Sequence, residues 1–549
     1  MAGTGEGEDT EHQHGYRGKP ANHHQIRKER VHSPNMDPII GSSTGNLQTA
    51  RILIRKRPLT PERVQNEGKA KPVPKEKEAK VESDTHASVA ISSSLTTIPA
   101  PSLCSGPQLM TDLPTPQEIR DLFTRESLWQ SYLDVEAAMS LEQGNIGMIP
   151  MAAGEEIAAK ANLTVIPAEK LAADIAVTRA PVASIARLLS AACSPEAAGY
   201  VHWGGTTQNI SQTGRILLMK RAHASLMDRL DRVMAHLCQM AEDTADMPAV
   251  SRTNHRQALP VTMGYKLAIA IEELQRHQER FAEVSKRTFT SQMGGAVGAM
   301  HAWGKDGPAL NVAVSKRLGL GHLHIPARSA IDHISEYVLL LALFGTSIGR
   351  IVSEFYLMMG DEYGEVIEDL GADVIGSSTM PHKVNSKLAV KVIADAARLR
   401  SFVPTAFEAM QPKNESDSAT NHLMYDCTSG PVSLAYDMLT DLEALLPALR
   451  LVPEAMQKNL NLTGGLIAAE NVMMTLAPKL GRTHAHDLVH HAAAVAVAQS
   501  IPFIDALMSD AEIAGATDRA GLEAALDAGN YTGLAEQLTR ETVRKVRLI

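Results

Sequence analysis

The sequence predicts an all-α protein, and three observations carry that prediction. Methionine is abundant, at 24 residues, and alanine and leucine are plentiful, while aromatic residues make up only 4% of the 549 positions. Helices tolerate that composition, whereas strands draw on aromatic and β-branched side chains. Apolar residues recur at i, i+3, i+4 through several long stretches, as on a helix with one buried face. No alternating, strand-like pattern intervenes between them.

In chain order, residues 1–112 differ from the rest. Tyr16 is the only aromatic before Phe123, and runs such as PVPKEKEAKVESD are charged and proline-rich. Such a segment buries too little apolar area to offset its ordering entropy, so a disordered N-terminal extension is expected. Its basic run IRKRPLTPERV reads as part of a solvated tail, with a binding patch as the alternative. From Pro116 the chain becomes periodic. Ile119, Leu122 and Phe123 lead to Leu133, Val135, Ala138, Met139 and Leu141, and the run stops at Gly147–Pro150, a helix and its terminator. A longer pattern starts at Arg215 and carries Leu218, Ala222, Leu226, Leu230, Val233, Leu237 and Met240. Comparable patterns cover Gly264–Lys286, Ala330–Gly360 and Lys387–Met410, the last interrupted by Pro404. Helices of this length imply a bundle. The expected domains are 113–213, a central long-helix bundle at 214–456, and a small helical domain at 457–549.

Bulk properties narrow the function. The formal charge of -9 gives nucleic-acid binding no support. Four scattered cysteines form no CxxC pair, so neither a disulfide framework nor a zinc knuckle is indicated, and a reducing compartment is expected. The most membrane-like run, Tyr337–Gly349, falls far short of the ~20 apolar residues of a span and reads as a buried bundle helix. With no secretory h-region at the start and Glu6, Glu8, Asp9 and Glu11 opposing a mitochondrial presequence, a cytoplasmic location without membrane attachment is expected.

Three separated polar segments interrupt the apolar pattern. The first, Val201-His202-Trp203-Gly204-Gly205-Thr206-Thr207-Gln208-Asn209, pairs glycines with hydroxyls and amides, donors that can approach a planar carboxylate. Its TTQN run reads equally as a helix N-cap. The second is Ser251–Pro260, with Arg252, Asn254 and His255; Arg252 taken alone also fits an ion pair. The third, Gly376-Ser377-Ser378-Thr379-Met380-Pro381-His382-Lys383-Val384-Asn385, gathers hydroxyls, a cation and an amide between a glycine and a proline. It reads as an exposed, mobile loop. A serine oxygen and a carboxylate-binding lysine on one loop are the equipment for removing a proton from a carbon beside a carboxylate.

Together these segments resemble the three signature blocks of the fumarase/aspartase superfamily, in the same order. The loop is similar to GSSxMPxKxNP. HWGGTTQNISQTG resembles the HxGxTSxDxxxT block of adenylosuccinate lyases and 3-carboxy-cis,cis-muconate cycloisomerases, with HWG nearest the latter. SRTNHRQALPVTMGYKLA resembles GRTxxQxAxPxTxGxKLA. QMGGAVGAM, LWQSYLDVEAAMSLEQGNIGMIP and NLTGGLIAAENVMMTLAPKLGRTHAHDLV also have family counterparts, so the likeness spans about 115–500.

The resemblance implies three mostly helical domains, with five long central helices contributed to a twenty-helix core in a homotetramer. Each active site is then shared among three subunits. It implies Ser377 as general base, with Lys383 and Asn385 matching the loop's lysine and asparagine and Ser378 beside them. Lys383 holds the substrate carboxylate while charge spreads into it. Thr206, Thr207, Gln208 and Asn209 bind a second carboxylate, Arg252 and Asn254 complete the binding set, and His202 matches the active-site histidine of the first block. No cofactor or metal is implied. The chain also departs from the pattern. Asn254 stands where lyases carry their proton-donating histidine, which leaves His202, or His255 one residue along a helix, to serve as acid. Asn209 replaces the aspartate of HxGxTSxD, Ser386 replaces the proline after the loop asparagine, and Ser416 replaces the arginine between Glu415 and Asp417. The last change sits where adenylosuccinate lyases hold their nucleotide, so a small polycarboxylate fits better than a purine.

His484, His486, His490 and His491 include an i, i+4 pair, but without a third ligand this is a weak metal motif. GGAVGAM follows no strand pattern, which argues against a dinucleotide. The leading expectation is a lyase or cycloisomerase of an unsaturated or branched polycarboxylate, nearest 3-carboxymuconate cycloisomerase. Alternatives are a decarboxylase of an unsaturated tricarboxylate such as trans-aconitate, an adenylosuccinate lyase, and a degenerate paralogue that binds a metabolite without turnover.

Overall fold

A computed structural model describes residues 112–371, 374, 377, 379–380 and 382–548. The expected N-terminal extension, up to residue 111, and Ser378 lie outside them. The periodic stretches are helices: α1 (Arg125–Asn145), α2 (Thr207–Asp243), α3 (Met263–Thr288), α4 (Asp332–Met358) and α5 (Leu388–Ala409). A further long helix, α6 (Ser418–Ala448), carries Pro431 and Pro447 within it, and its pattern is not legible in the sequence.

The five central helices close a ring. α2 packs on α3, α3 on α4, α4 on α5, α5 on α6, and α6 returns to α2. The periodic residues are what they bury: Leu226, Leu230 and Val233 are fully inaccessible on α2, as are Phe281 on α3 and Tyr337 and Phe344 on α4. α4 and α5 approach unusually closely. A Cβ at Gly345 would lie 2.7 Å from Leu399 Cδ1, and one at Gly349 would lie 2.9 Å from Ala396 Cβ, so small residues set that spacing. α4 is long and apolar enough to cross a membrane, yet 61% of its apolar window is buried inside the protein, as the bundle reading expects. α1 shares this large core through Tyr132, Leu133, Val135 and Met139.

Residues Val472 to Ala525 form a second, separate core, built in part by α7 (Ala469–Leu480) and α8 (Arg482–Gln499). The last helix, α9 (Ala535–Arg547), returns to the main core through Val543.

The expectation that no strands intervene is corrected by three two-stranded ladders. β1 (Pro248–Thr253) and β2 (Arg256–Thr262) form an antiparallel hairpin. β3 (Thr290–Ser291) pairs in parallel with β4 (Gly321–His322), and β5 (Val366–Glu368) pairs antiparallel with β6 (Leu449–Leu451). All are short, and two of them flank functional segments.

Candidate active site

The first polar block is the entry to α2. Thr206 is its N-cap, and the Thr206 N–H donates to Asn209 Oδ1 at 2.9 Å, so the capping reading of TTQN holds. Thr207 is exposed, whereas Gln208 and Asn209 are buried and spend their amides on the protein. Asn209 Nδ2 donates to the carbonyl and side-chain oxygens of Gln292 at 2.7 and 2.6 Å. Gln208 Oε1 accepts from Arg328 Nε at 2.9 Å and Ser416 Oγ at 3.1 Å. This hub fixes the start of α2 against two remote segments.

His202 sits just before that entry in the left-handed region, φ 58°, a costly conformation for a residue with a Cβ. The turn is held from behind: the Trp203 carbonyl accepts from Gln143 Nε2 at 2.7 Å and Trp303 Nε1 at 2.9 Å. Gly204, at φ 70°, is required twice, because a Cβ there would also lie 2.4 Å from Trp303 Nε1. His202 Nδ1 lies 2.6 Å from Glu136 Oε1 of α1, and Glu136 is fully buried. Burial alone disfavours the imidazolium, but the Glu136 charge and hydrogen bond overcome it and hold the His202 pKa above its ordinary value. With the carboxylate accepting from Nδ1, Nε2 is the nitrogen left to exchange a proton with a ligand.

The second block is the β1–β2 hairpin, which corrects the helical placement of His255. Thr253 pairs with Arg256, and Asn254 and His255 form the intervening turn at φ 51° and 60°. A two-residue hairpin loop of the type I′ form demands φ above zero at both positions, which asparagine accepts readily. Arg252 makes a partly buried ion pair with Glu365, at 3.0 and 2.6 Å, and lies over the Tyr363 ring. Glu365 also accepts from Asn459 Nδ2 at 2.8 Å. This paired arginine clamps the hairpin to the segment leading into β5.

The third block spans β5 to α5. Glu368, nearly buried at the end of β5, accepts from Ser386 Oγ at 2.5 Å and from the amides of Lys387, Leu388 and Ala389 at 2.7, 2.9 and 3.2 Å. One carboxylate thus closes the loop and caps α5. Burial works to raise its pKa, but the four donors win and hold it below the usual carboxylate range. Within the loop, Ser377 is half-buried, and its Oγ accepts the N–H of Met380 at 3.1 Å and of Thr379 at 3.4 Å. Lys383 and Asn385 are exposed.

A cleft of about 750 Å³ is lined by His382, Lys383, Asn385, Glu368, Leu357 and Tyr363 among others. A neighbouring cavity of about 230 Å³ is lined by Arg252, Asn254 and His255, and Leu357 and Tyr363 belong to both walls. The second and third blocks therefore open at one end of α4. The described side-chain partners of the first block include Glu136, Gln143, Gln292, Trp303, Arg328, Ser416 and Asn421, none of them from the other two blocks.

Arg328 and Glu368 lie outside the quoted motifs, and Glu136 and Gln292 lie within quoted segments without being singled out. Only Glu136 leaves a signal, a carboxylate on the buried stripe that runs from Leu133 to Met139. In the histidine cluster, His486 and His490 are stacked and exposed on α8, and His484 pairs with Glu512 at 2.8 Å. Among the described residues no group of three potential ligands gathers there.

A family profile described as Lyase matches residues 120–393, and one described as Adenylosuccinate lyase C-terminus matches 465–542. Trans-aconitate decarboxylase 1 of Mycosarcoma maydis is 31% identical over 80% of this chain and 89% of its own length. The chain belongs to the fumarase/aspartase superfamily. It is thereby an enzyme of the superfamily's lyases. The 3-carboxy-cis,cis-muconate cycloisomerase of Pseudomonas aeruginosa is another relative, 33% identical over 76% of this chain and 92% of its own. Among solved superfamily structures, a fumarate lyase from a Mesorhizobium species superposes with a TM-score of 0.72 at 30% identity, covering 78% of this chain and 97% of that one.

Proposed function

We propose that the protein moves a proton next to a carboxylate of a small unsaturated or branched polycarboxylate, as a cytoplasmic lyase or cycloisomerase of the 3-carboxymuconate type. The observation that carries this is the Ser377 hydroxyl, which already accepts two loop amides, on the same loop as Lys383. A free serine is a poor base. Amide donors and a nearby cation stabilise its alkoxide in a closed, water-poor site.

In the elimination direction, Ser377 Oγ takes the proton from the carbon beside a carboxylate. The electron pair spreads into that carboxylate, held by Lys383 and Asn385, with Ser378 adjoining. His202, whose proton Glu136 makes harder to lose, gives its Nε2 proton to the departing group. Thr206 and Thr207 supply hydroxyls at the first block. Gln208 and Asn209 act by holding that block in place, and Arg252 by clamping the hairpin that presents Asn254 and His255. His255 is the second candidate acid. Asn254, which offers an amide where an imidazole would stand, favours decarboxylation of an unsaturated tricarboxylate as the second reading.

The site requires neighbouring copies of the chain, because the first block has no described contact with the loop. Exposed apolar residues line the bundle, including Ile269, Leu343, Tyr356, Val390 and Phe407. These support a homotetramer in which three protomers complete each site, built from domains at 113–213, 214–456 and 457–549.

A panel of unsaturated tri- and dicarboxylates, followed by gain or loss of ultraviolet conjugation, tests the proposal. Turnover of at least one conjugated polycarboxylate is expected. Tight binding of one without turnover of any would replace the enzyme reading with a degenerate binding paralogue.

A further inference from the structure

One face of α2 carries Gln208, Ser211 and Arg215 at i, i+3 and i+7. Against that face sit Ser416, just before α6, Asn421 and Tyr425, from its first turns, and Arg328, from the segment before α4. Tyr425 and Ser211 hydroxyls are 3.2 Å apart, and the Arg215 guanidinium lies over the Tyr425 ring at 4.0 Å. Arg215 Nε is buried with no hydrogen-bond partner.

Arg328 is half-buried, and its hydrogen bonds go to neutral oxygens: Nε to Gln208 Oε1 at 2.9 Å and Nη1 to the Ala296 carbonyl at 2.7 Å. Among the described residues neither Arg328 nor Arg215 has a carboxylate partner. Other partly buried arginines do: Arg229 pairs with Glu443 and Arg252 with Glu365. Asp417, beside Ser416, is turned to cap α6, its Oδ1 accepting the Ala419 N–H at 2.9 Å. Burial depresses the Arg328 pKa, and Tyr425 offsets this only in part. A guanidinium taken partly out of water beside neutral acceptors, with its Nη2 edge uncommitted, is arranged for an anion.

Between Glu415 and Asp417 stands an uncharged residue, Ser416. The Ser416 hydroxyl and Arg328 Nε meet the same atom, Gln208 Oε1. Arg328 thus brings a cation to the point where Ser416 supplies only a hydroxyl. We infer that Arg328 is a specificity-determining residue that binds a further carboxylate of the substrate, beyond the one held by the serine loop, with Arg215 reinforcing the local positive charge. This rests on the polycarboxylate reading above and narrows it to substrates with three carboxylates.

Calorimetric titration of the full chain with propane-1,2,3-tricarboxylate and with glutarate tests the inference, because the two differ by one carboxylate on the same backbone. The wild-type protein should bind the tricarboxylate at least roughly tenfold more tightly, the worth of one charge-assisted contact. Arg328→Met should bring the ratio to about one while leaving glutarate affinity within about threefold, and Arg328→Lys should restore part of the ratio with a monodentate cation. A wild-type ratio in Arg328→Met overturns the inference. So does equal weakening of both ligands in both variants, which would make Arg328 a prop for Gln208 only. A wild-type ratio near one also overturns it but leaves the polycarboxylate reading standing. Wild-type protein that binds neither probe removes both.

Discussion

The first block and the serine loop are built on opposite plans. The first block is an interior structure: His202 is backed by a buried carboxylate, its turn is held by two donors on one carbonyl, and the next amides are consumed by Gln292, Arg328 and Ser416. The serine loop is a surface structure. Its described residues from Thr379 to Asn385 are exposed, and its firm anchorage is at the stems, through Glu368. One half is preorganised and the other is completed by its ligand. That division suits a reaction in which the acid is held ready by a fixed partner before the ligand arrives, while the base becomes strong only when water is excluded.

Removing the base tests the ligand-completed half most severely. Ser377→Ala should lower kcat by about 10³-fold or more, roughly 4 kcal/mol of barrier, without changing helicity or melting temperature. Activity near wild type on the best panel substrate would show that another group abstracts the proton. A smaller effect, about 10²-fold, is expected from Glu136→Gln in the preorganised half. The wild-type alkaline limb of kcat/KM reports loss of the His202 proton. Because Glu136 is what raises that pKa, the limb should move to lower pH in the variant. An unshifted limb would assign the acid elsewhere, with His255 the next residue to replace. The mildest change is Glu368→Gln, which keeps the shape but weakens four hydrogen bonds. It should cost about 1–2 kcal/mol in denaturant titration and lower kcat several-fold with little change in KM. The Glu368 contribution is present above the ordinary carboxylate range and disappears as pH falls through its lowered folded-state pKa, so wild type and variant should converge in acid. A constant gap between them would reject the capping role.

The long helices were legible because apolar spacing survives wherever a helix buries one face, as Leu226, Leu230, Val233 and Leu237 do. α6 was not legible, since Pro431 and Pro447 read as breaks, although the ring packing tolerates them. The β1–β2 hairpin was hidden because its strands carry arginines and polar residues that cover no sheet. At the site, Ser377, Lys383 and His202 were legible as a resemblance to known blocks. Their supports were not, because pairs such as Glu136 with His202 or Arg328 with Gln208 are distant in sequence and joined only by packing. Gln208 and Asn209 show the same blindness in reverse: their chemistry suggested ligand contacts, and their side chains turn into the protein.

Glu368 stands on the incoming stem of the serine loop and its carboxylate binds the outgoing one, and this turns an open segment into a closed ring. The configurational cost of a ring rises only with the logarithm of its size, about 0.6 kcal/mol per doubling. A residue inserted at the apex would scarcely weaken the protein, yet it would shift the hydroxyl of Ser377 relative to Lys383. In this part of the molecule evolution can spoil aim without spoiling stability, so a relative that has lost turnover would still be expected to fold, assemble and bind.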